Sequence, residues 1–253
     1  MTGSTTGLGL AMARALASAG ADIMLTGLEA TAEADALRET LAAERRVKVG
    51  FCTADLSRIE DIERLISTAN AELGGVDILV NNAVAARHFG PVETLPVGRW
   101  DAALAVNVSA VFHAVRLTLP AMRAAGYGRI INMTSVYGER GVAGRIDYAT
   151  TKAAIQGMTR ALAMELLDGD VTCHALRPGS TLTEQINSRV EALMADEGLG
   201  RREAERKFLQ GKQPNGRFVD VESVCQVLLL LCGPAGQDMN GAILPIEGGW
   251  LAS

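Results

Sequence analysis

A chain of 253 residues, 48% hydrophobic and 21% charged, can bury roughly 70–75% of the surface its unfolded form exposes, so it needs neither disulfides nor a metal for its core. The balance of 24 basic against 29 acidic residues, a formal charge of −5, argues against a nucleic-acid partner, and the longest uninterrupted apolar run, 227–232, falls far short of the ~20 residues of a bilayer span. The four cysteines Cys52, Cys173, Cys225 and Cys232 have no C-x-x-C spacing, so neither a disulfide framework nor a metal site is expected. With no charged-then-apolar leader at the start, the expectation is a cytoplasmic protein with a small-molecule partner and no membrane partner.

Helical and strand-like periods then alternate. Helix is predicted over 8–19, 30–44, 59–73, 99–125, 147–167 and 219–231. Short strands, apolar on both faces, are predicted over 21–26, 47–54, 76–81, 129–135, 171–176 and 242–246. Gly20, Gly74, Gly126 and Gly169 stand where helices should stop. No linker or repeat interrupts the rhythm, which predicts one α/β domain over 1–253, a doubly wound parallel sheet with helices on both faces. Between the Pro178-Gly179 turn and the last helix, 187–212 is polar, helical in propensity and strand-free. It reads as part of a lid, about 180–212, over a site at the carboxyl ends of the strands. The cluster Arg201, Arg202, Arg206 and Lys207 within it reads as a solvated helix face.

Thr2-Gly3-Ser4-Thr5-Thr6-Gly7-Leu8-Gly9 opens directly into the first helix. Glycines let backbone turn tightly against a pyrophosphate, and the amino end of a helix presents free N–H groups and partial positive charge to it. A loop of this kind should follow a strand, yet Met1 stands immediately before it. Without that strand, its two neighbours would keep unpaired backbone groups at about 1–3 kcal/mol each. The expectation is that the chain as given begins late, with the central strand missing.

Asp55, the Asn81-Asn82-Ala83 turn, Asn107, Ser135, Tyr148-x-x-x-Lys152 and Pro178-Gly179 follow that loop in order. With them the chain resembles the short-chain dehydrogenase/reductase family over essentially its whole length. The resemblance implies a Rossmann-type fold and hydride transfer between a nicotinamide dinucleotide and a secondary alcohol or ketone. It implies that Tyr148 exchanges the proton with the substrate oxygen and that Ser135 holds that oxygen. Lys152 would lower the Tyr148 pKa and bind the nicotinamide ribose, and Asn107 would support a water-linked proton relay. An ordinary Tyr titrates near ~10, so work near neutrality calls for about 3–4 kcal/mol of help, which an ammonium at ~4 Å can supply at an effective dielectric of ~20.

The same resemblance gives the cofactor to Gly3, Thr5, Gly7, Leu8 and Gly9 of the loop, to Leu28, Asp55 and Leu56, to Asn81 and Ala83, to Tyr148 and Lys152, and to Pro178, Gly179 and Thr183. Asp55 would meet the adenine, Asn81 and Ala83 the adenosine side, and Thr183 the carboxamide. Val84 stands where the family has Gly and is ill suited to a positive φ, so an altered turn is expected there. At the end of the second predicted strand, Thr26-Gly27-Leu28-Glu29 offers no cation for a 2′-phosphate, and Glu29 would repel one. NAD is therefore expected over NADP.

Within the family, 2–27, Lys212-Gln213-Pro214 with Phe218, and Gly248-Gly249-Trp250 look closest to bacterial 3-hydroxybutyrate dehydrogenases. Against that group's carboxylate clamp, Arg145 replaces Lys, Tyr137 replaces His, Ala86 and Arg189 stand for two Gln, Ser180 replaces one Trp, and Trp250 is kept. The implied substrate is an anionic hydroxy acid or its keto form, bulkier or more polyhydroxylated than 3-hydroxybutyrate, bound by Tyr137, Arg145, Arg189 and Trp250, with solvated surface residues as the alternative reading of Arg145 and Arg189. A 3-oxoacyl thioester reductase, a sugar or cyclic-alcohol dehydrogenase, and a non-catalytic nucleotide-binding regulator are the alternatives. The family's packing of the helices at 99–125 and 147–167 implies a homotetramer.

Overall fold

The computed structural model describes residues 1–28, 30–85 and 88–252. Helix α1 (Gly7–Ser18) leads to β1 (Ile23–Gly27), α2 (Ala32–Arg45), β2 (Val49–Thr53), α3 (Ile59–Leu73) and β3 (Ile78–Asn81). Helices α4 (Val97–Leu104) and α5 (Ala110–Ala125) come next, then β4 (Gly128–Met133), α6 (Ile146–Met164) and β5 (Val171–Pro178). The chain closes with α7 (Glu184–Glu197), α8 (Arg201–Leu209), α9 (Val221–Cys232), the short α10 (Ala235–Asp238) and β6 (Ile243–Ile246).

All strand pairs are parallel. β1 lies on β2, with Ile23 opposite Val49. β3, β4, β5 and β6 follow side by side, registered by Ile78 on Arg129, Gly128 on Val171 and Ala175 on Ile243. Between β1 and β3 run Met1 to Ser4. The Met1 amino group donates to the Met24 carbonyl at 2.9 Å, Ser4 N–H to Thr26 at 3.1 Å, and Thr2 N–H to Val80 at 3.0 Å. In place of the central strand expected ahead of the loop, these few residues tie β1 to β3.

Two apolar layers cover the sheet. Ile62 and Leu65 of α3, Ala114 and Met122 of α5 and Leu162 of α6 pack with Leu79 and Ile130 on one face. Met12 and Leu16 of α1, Leu41 of α2 and Leu228 and Leu231 of α9 pack with Leu25, Val80, Ile131 and Leu176 on the other. Every residue of β4 is buried, the pattern of a strand covered on both sides. Each fully buried large side chain contributes roughly 1.5–3 kcal/mol relative to exposure.

The single helix predicted over 99–125 is two helices joined by a π turn, Ala105–Ser109. The cause is Asn107, 2% exposed, whose side chain turns to the neighbouring loop instead of running out along the helix. The run from Val97 to Ala125 has the length and mean hydropathy, 1.5, of a membrane span. Its residues Ala110, Val111, Ala114, Val115 and Met122 are buried in the protein, as in a core helix. The polar stretch expected as a lid forms α7 and α8, anchored by a parallel bridge between Thr181 and Val219.

Candidate active site

A cleft of about 1180 Å³ opens at the carboxyl ends of the strands, where open parallel sheets receive ligands. Its floor is the glycine loop. Gly3 and Gly7 have φ of +58° and +55°, a region that favours glycine. A Cβ on Gly9 would stand 2.1 Å from the Gly3 carbonyl oxygen and 2.5 Å from Asn82 Nδ2. Only glycine lets α1 begin so close to the loop, and that twelve-residue helix has no side-chain cap on its first N–H groups. A diphosphate fits such a cradle.

The loop is shaped by a residue the motif reading passed over. Asn82 Nδ2 donates to the carbonyls of Thr2 and Gly3 at 3.1 and 2.9 Å. The Thr2 hydroxyl accepts from the backbone N–H of Asn82 and Ala83 at 2.9 and 3.0 Å. The signal was present in the sequence, since Asn82 is the middle of the Asn-Asn-Ala turn and Thr2 precedes the first glycine.

Gly3, Thr5, Gly7, Leu8, Gly9, Leu28, Leu56 and Ala83 line the cleft on one side, and Ser135, Tyr148, Lys152, Pro178, Gly179 and Thr183 on the other. Asp55 and Asn81 do not. The Asp55 carboxylate accepts from the N–H and hydroxyl of Ser57 at 2.9 and 2.7 Å, which leaves Ala54 and Leu56 to face the cleft from that turn. Asn81 is buried and donates to Asn132 Oδ1 at 2.8 Å, directly across from it in the β3–β4 register. Both are polar residues consumed by local hydrogen bonds, a use that the family motif does not distinguish from ligand contact. Val84, expected to be ill suited to a positive φ, does not adopt one and lines the cleft beside Ala83. Glu29 and Ala86 lie outside the described residues.

The remaining polar side chains converge on α6. Tyr148 and Lys152 stand one turn apart on the face toward the cleft. Lys152 is 4% exposed and donates from Nζ to the Met133 carbonyl at 2.6 Å. Burial lowers it from 10.5 to about 8. The Tyr148 phenol is raised by burial, against which the Ser135 hydroxyl and then Arg145 act. Lys152 is not among the groups that act on the phenol here: its ammonium is drawn to a backbone carbonyl and lies 5.6 Å from the Tyr148 ring centre. Asn107 accepts from Ala85 N–H at 2.7 Å and donates to the Ala85 carbonyl at 2.9 Å and to Thr151 at 3.1 Å. Its side chain is thus committed to fixing the 82–85 turn, and Val106 beside it reaches the cleft.

None of the four residues expected at the substrate is among those lining the cleft; Tyr137 and Arg145 lie against Tyr148, and Trp250 against Tyr137. The Tyr137 ring lies edge-on to Tyr148 at 6.3 Å and to the buried Trp250 at 5.4 Å. The Arg145 guanidinium stacks over Tyr148 at 4.7 Å and over Phe89 at 4.2 Å. Arg189, on α7, lies over Phe89 and Phe208. Neither aromatic partner was singled out from the sequence. Phe89 follows a stretch without periodicity, and Phe208 reads as one apolar residue in a polar helix.

The family model described as short chain dehydrogenase matches residues 1–193, and the chain belongs to that family. It is 38% identical over 253 residues to the D-beta-hydroxybutyrate dehydrogenase of Cupriavidus necator, covering 100% of this chain and 96% of that one. It is 33% identical to the 3-oxoacyl-[acyl-carrier-protein] reductase of Aquifex aeolicus, covering 98% and 95% of the two chains. Among solved structures, the L-sorbose reductase of Gluconobacter frateurii, complexed with NADPH and L-sorbose, superimposes with a TM-score of 0.93 at 26% identity, covering 100% of this chain and 95% of that one. The protein is an oxidoreductase that acts on alcohol or carbonyl groups with a nicotinamide cofactor.

Proposed function

We propose that this chain interconverts a small anionic hydroxy acid and its keto form with NAD(H). The observation that carries the reading is the Arg145 guanidinium, stacked 4.7 Å over the Tyr148 ring with no carboxylate partner among the described residues. Stacking occupies the face of a guanidinium and leaves its planar edge free to grip a carboxylate with two parallel hydrogen bonds. A carboxylate held there keeps the neighbouring carbinol within reach of Tyr148 and Ser135.

In this reading Tyr148 holds and returns the proton of the substrate oxygen. Burial favours its protonated form, which suits it to donate when a ketone is reduced. In the other direction it must give its proton up. Ser135 orients the substrate oxygen, Lys152 anchors the ribose side, and Asn107 sets the 82–85 turn against α6. Gly3, Thr5, Gly7, Leu8, Gly9, Leu28, Leu56, Ala83, Pro178, Gly179 and Thr183 hold the dinucleotide, which supplies or accepts the hydride. The charged residues lining the cleft are Lys152 and Glu184, and neither stands at the β1 end. No described cation is therefore available there for a 2′-phosphate, which supports NAD.

The cysteines are free thiols, three of them buried, as suits a reducing cytoplasmic setting. The apolar groove on α5 and α6, lined by Phe112, Leu119, Pro120 and Met158, supports assembly into a homotetramer through those helices.

A panel of hydroxy acids and matched neutral alcohols, assayed for NADH formation with wild type and Arg145→Ala, tests the reading. The hydroxy acids should be preferred, and the variant should raise their KM at least tenfold with kcat changed far less. A neutral sugar or a thioester turned over best, with KM untouched in the variant, would contradict it.

A further inference from the structure

Three cations, Arg145, Arg189 and Lys212, lie over aromatic rings in a series that starts at Tyr148 in the cleft. Arg145, at 4.2 Å, and Arg189, at 5.4 Å, both lie over the Phe89 ring. Arg189, at 5.1 Å, and Lys212, at 3.9 Å, both lie over the Phe208 ring. None of the three side chains makes an ion pair or hydrogen bond among the described residues. By contrast, Arg201 and Lys207 on the same lid find Glu205 and Glu197. The Nε of Arg145 is buried with no acceptor among the described residues.

The charges feel one another. Arg145 and Arg189 both act on the phenol of Tyr137, and Arg189 adds to the burial that lowers Lys212. A single carboxylate at Arg145 leaves Arg189 and Lys212 as two like charges that share the Phe208 ring. A guanidinium or ammonium on an aromatic face keeps its N–H donors free at the edge. The pair on the lid side is therefore open to a second anion, and like-charge repulsion there falls when one arrives.

We propose that the substrate is a hydroxy or oxo diacid, with one carboxylate held by Arg145 beside Tyr148 and the other received by Arg189 and Lys212. The proposal rests on the hydroxy-acid reading and narrows it.

Calorimetric titration of the full chain with NADH present reads the second subsite without turnover. The probes are succinate, glutarate and adipate, against butyrate, pentanoate and hexanoate. At least one diacid should bind ten times more tightly than the monoacid of the same carbon count. Lys212→Met should cut that preference at least fivefold. Lys207→Met, which removes an equal charge already paired with Glu197, should leave it intact. Diacids that bind no better than monoacids, a preference that survives Lys212→Met, or one lost equally in Lys207→Met overturns the proposal. Turnover of 3-hydroxybutyrate without any diacid preference leaves the hydroxy-acid reading standing and removes only the second subsite. A diacid preference without turnover of any hydroxy acid removes the dehydrogenase reading and leaves the anion site.

Discussion

Lys152 is a buried cation whose nearest oxygen is a neutral backbone carbonyl, and its protonation is costly for that reason. Its ordinary pKa of 10.5 falls to about 8 in the fold. Between these values the unfolded chain binds the proton more readily than the folded one, so stability rises with pH across that window. Below about pH 8 the penalty is present in full, on the order of 3 kcal/mol at most. Lys152→Met should therefore raise the thermal midpoint at pH 7 and flatten the rise in urea midpoint between pH 8 and 10.5. An unchanged slope across that window would mean that the ammonium is not the group responsible. At the residue scale the motif order placed Tyr148 and Ser135 where the structure has them, lining the cleft. It did not show that the side chains of Asp55 and Asn81 are engaged by Ser57 and Asn132. Asn132 lies on another strand, so its partnership is set by the β3–β4 register and not by local sequence.

Elements were legible through period and punctuation. Helix α3 is predicted over 59–73 and observed over the same span, closed by Gly74 at φ +87°, the left-handed cap that ends many helices. The break between α4 and α5 was not legible, since a π turn leaves the apolar spacing on either side intact and goes with a tertiary hydrogen bond that Asn107 Oδ1 accepts from Ala85 N–H. The outer face of α5 carries Phe112, 52% exposed, in an apolar groove shared with Leu119, Pro120 and Met158. An apolar stripe of this size on a chain otherwise rich in surface charge suits contact with another copy. Phe112→Asp should lower the molar mass measured by light scattering to that of a smaller assembly while leaving the circular dichroism unchanged. A mass equal to wild type would exclude this face from the interface.

At the scale of the whole molecule, two layers of helices and a parallel sheet bring together groups that are far apart in the chain. The loop at Gly3 to Gly9, the turn at 82–85, the β4 end at Ser135 and the α6 face at Tyr148 meet only because β1, β3, β4 and β5 run parallel and end on one side. That convergence was readable from the alternation of strand and helix together with the motif order. The cation and aromatic ladder from Tyr148 to Lys212 was not, because it joins three irregular or lid segments whose approach no periodicity encodes. The central claim is that Tyr148 carries the substrate proton. Turnover of the preferred hydroxy acid by wild type and Tyr148→Phe, followed as NADH formation from neutral to alkaline pH, tests it most directly. Wild-type oxidation should accelerate as pH rises, and the variant should lose at least a hundredfold in kcat together with that dependence. A Tyr148→Phe enzyme that matches wild type in rate and pH profile would contradict the account.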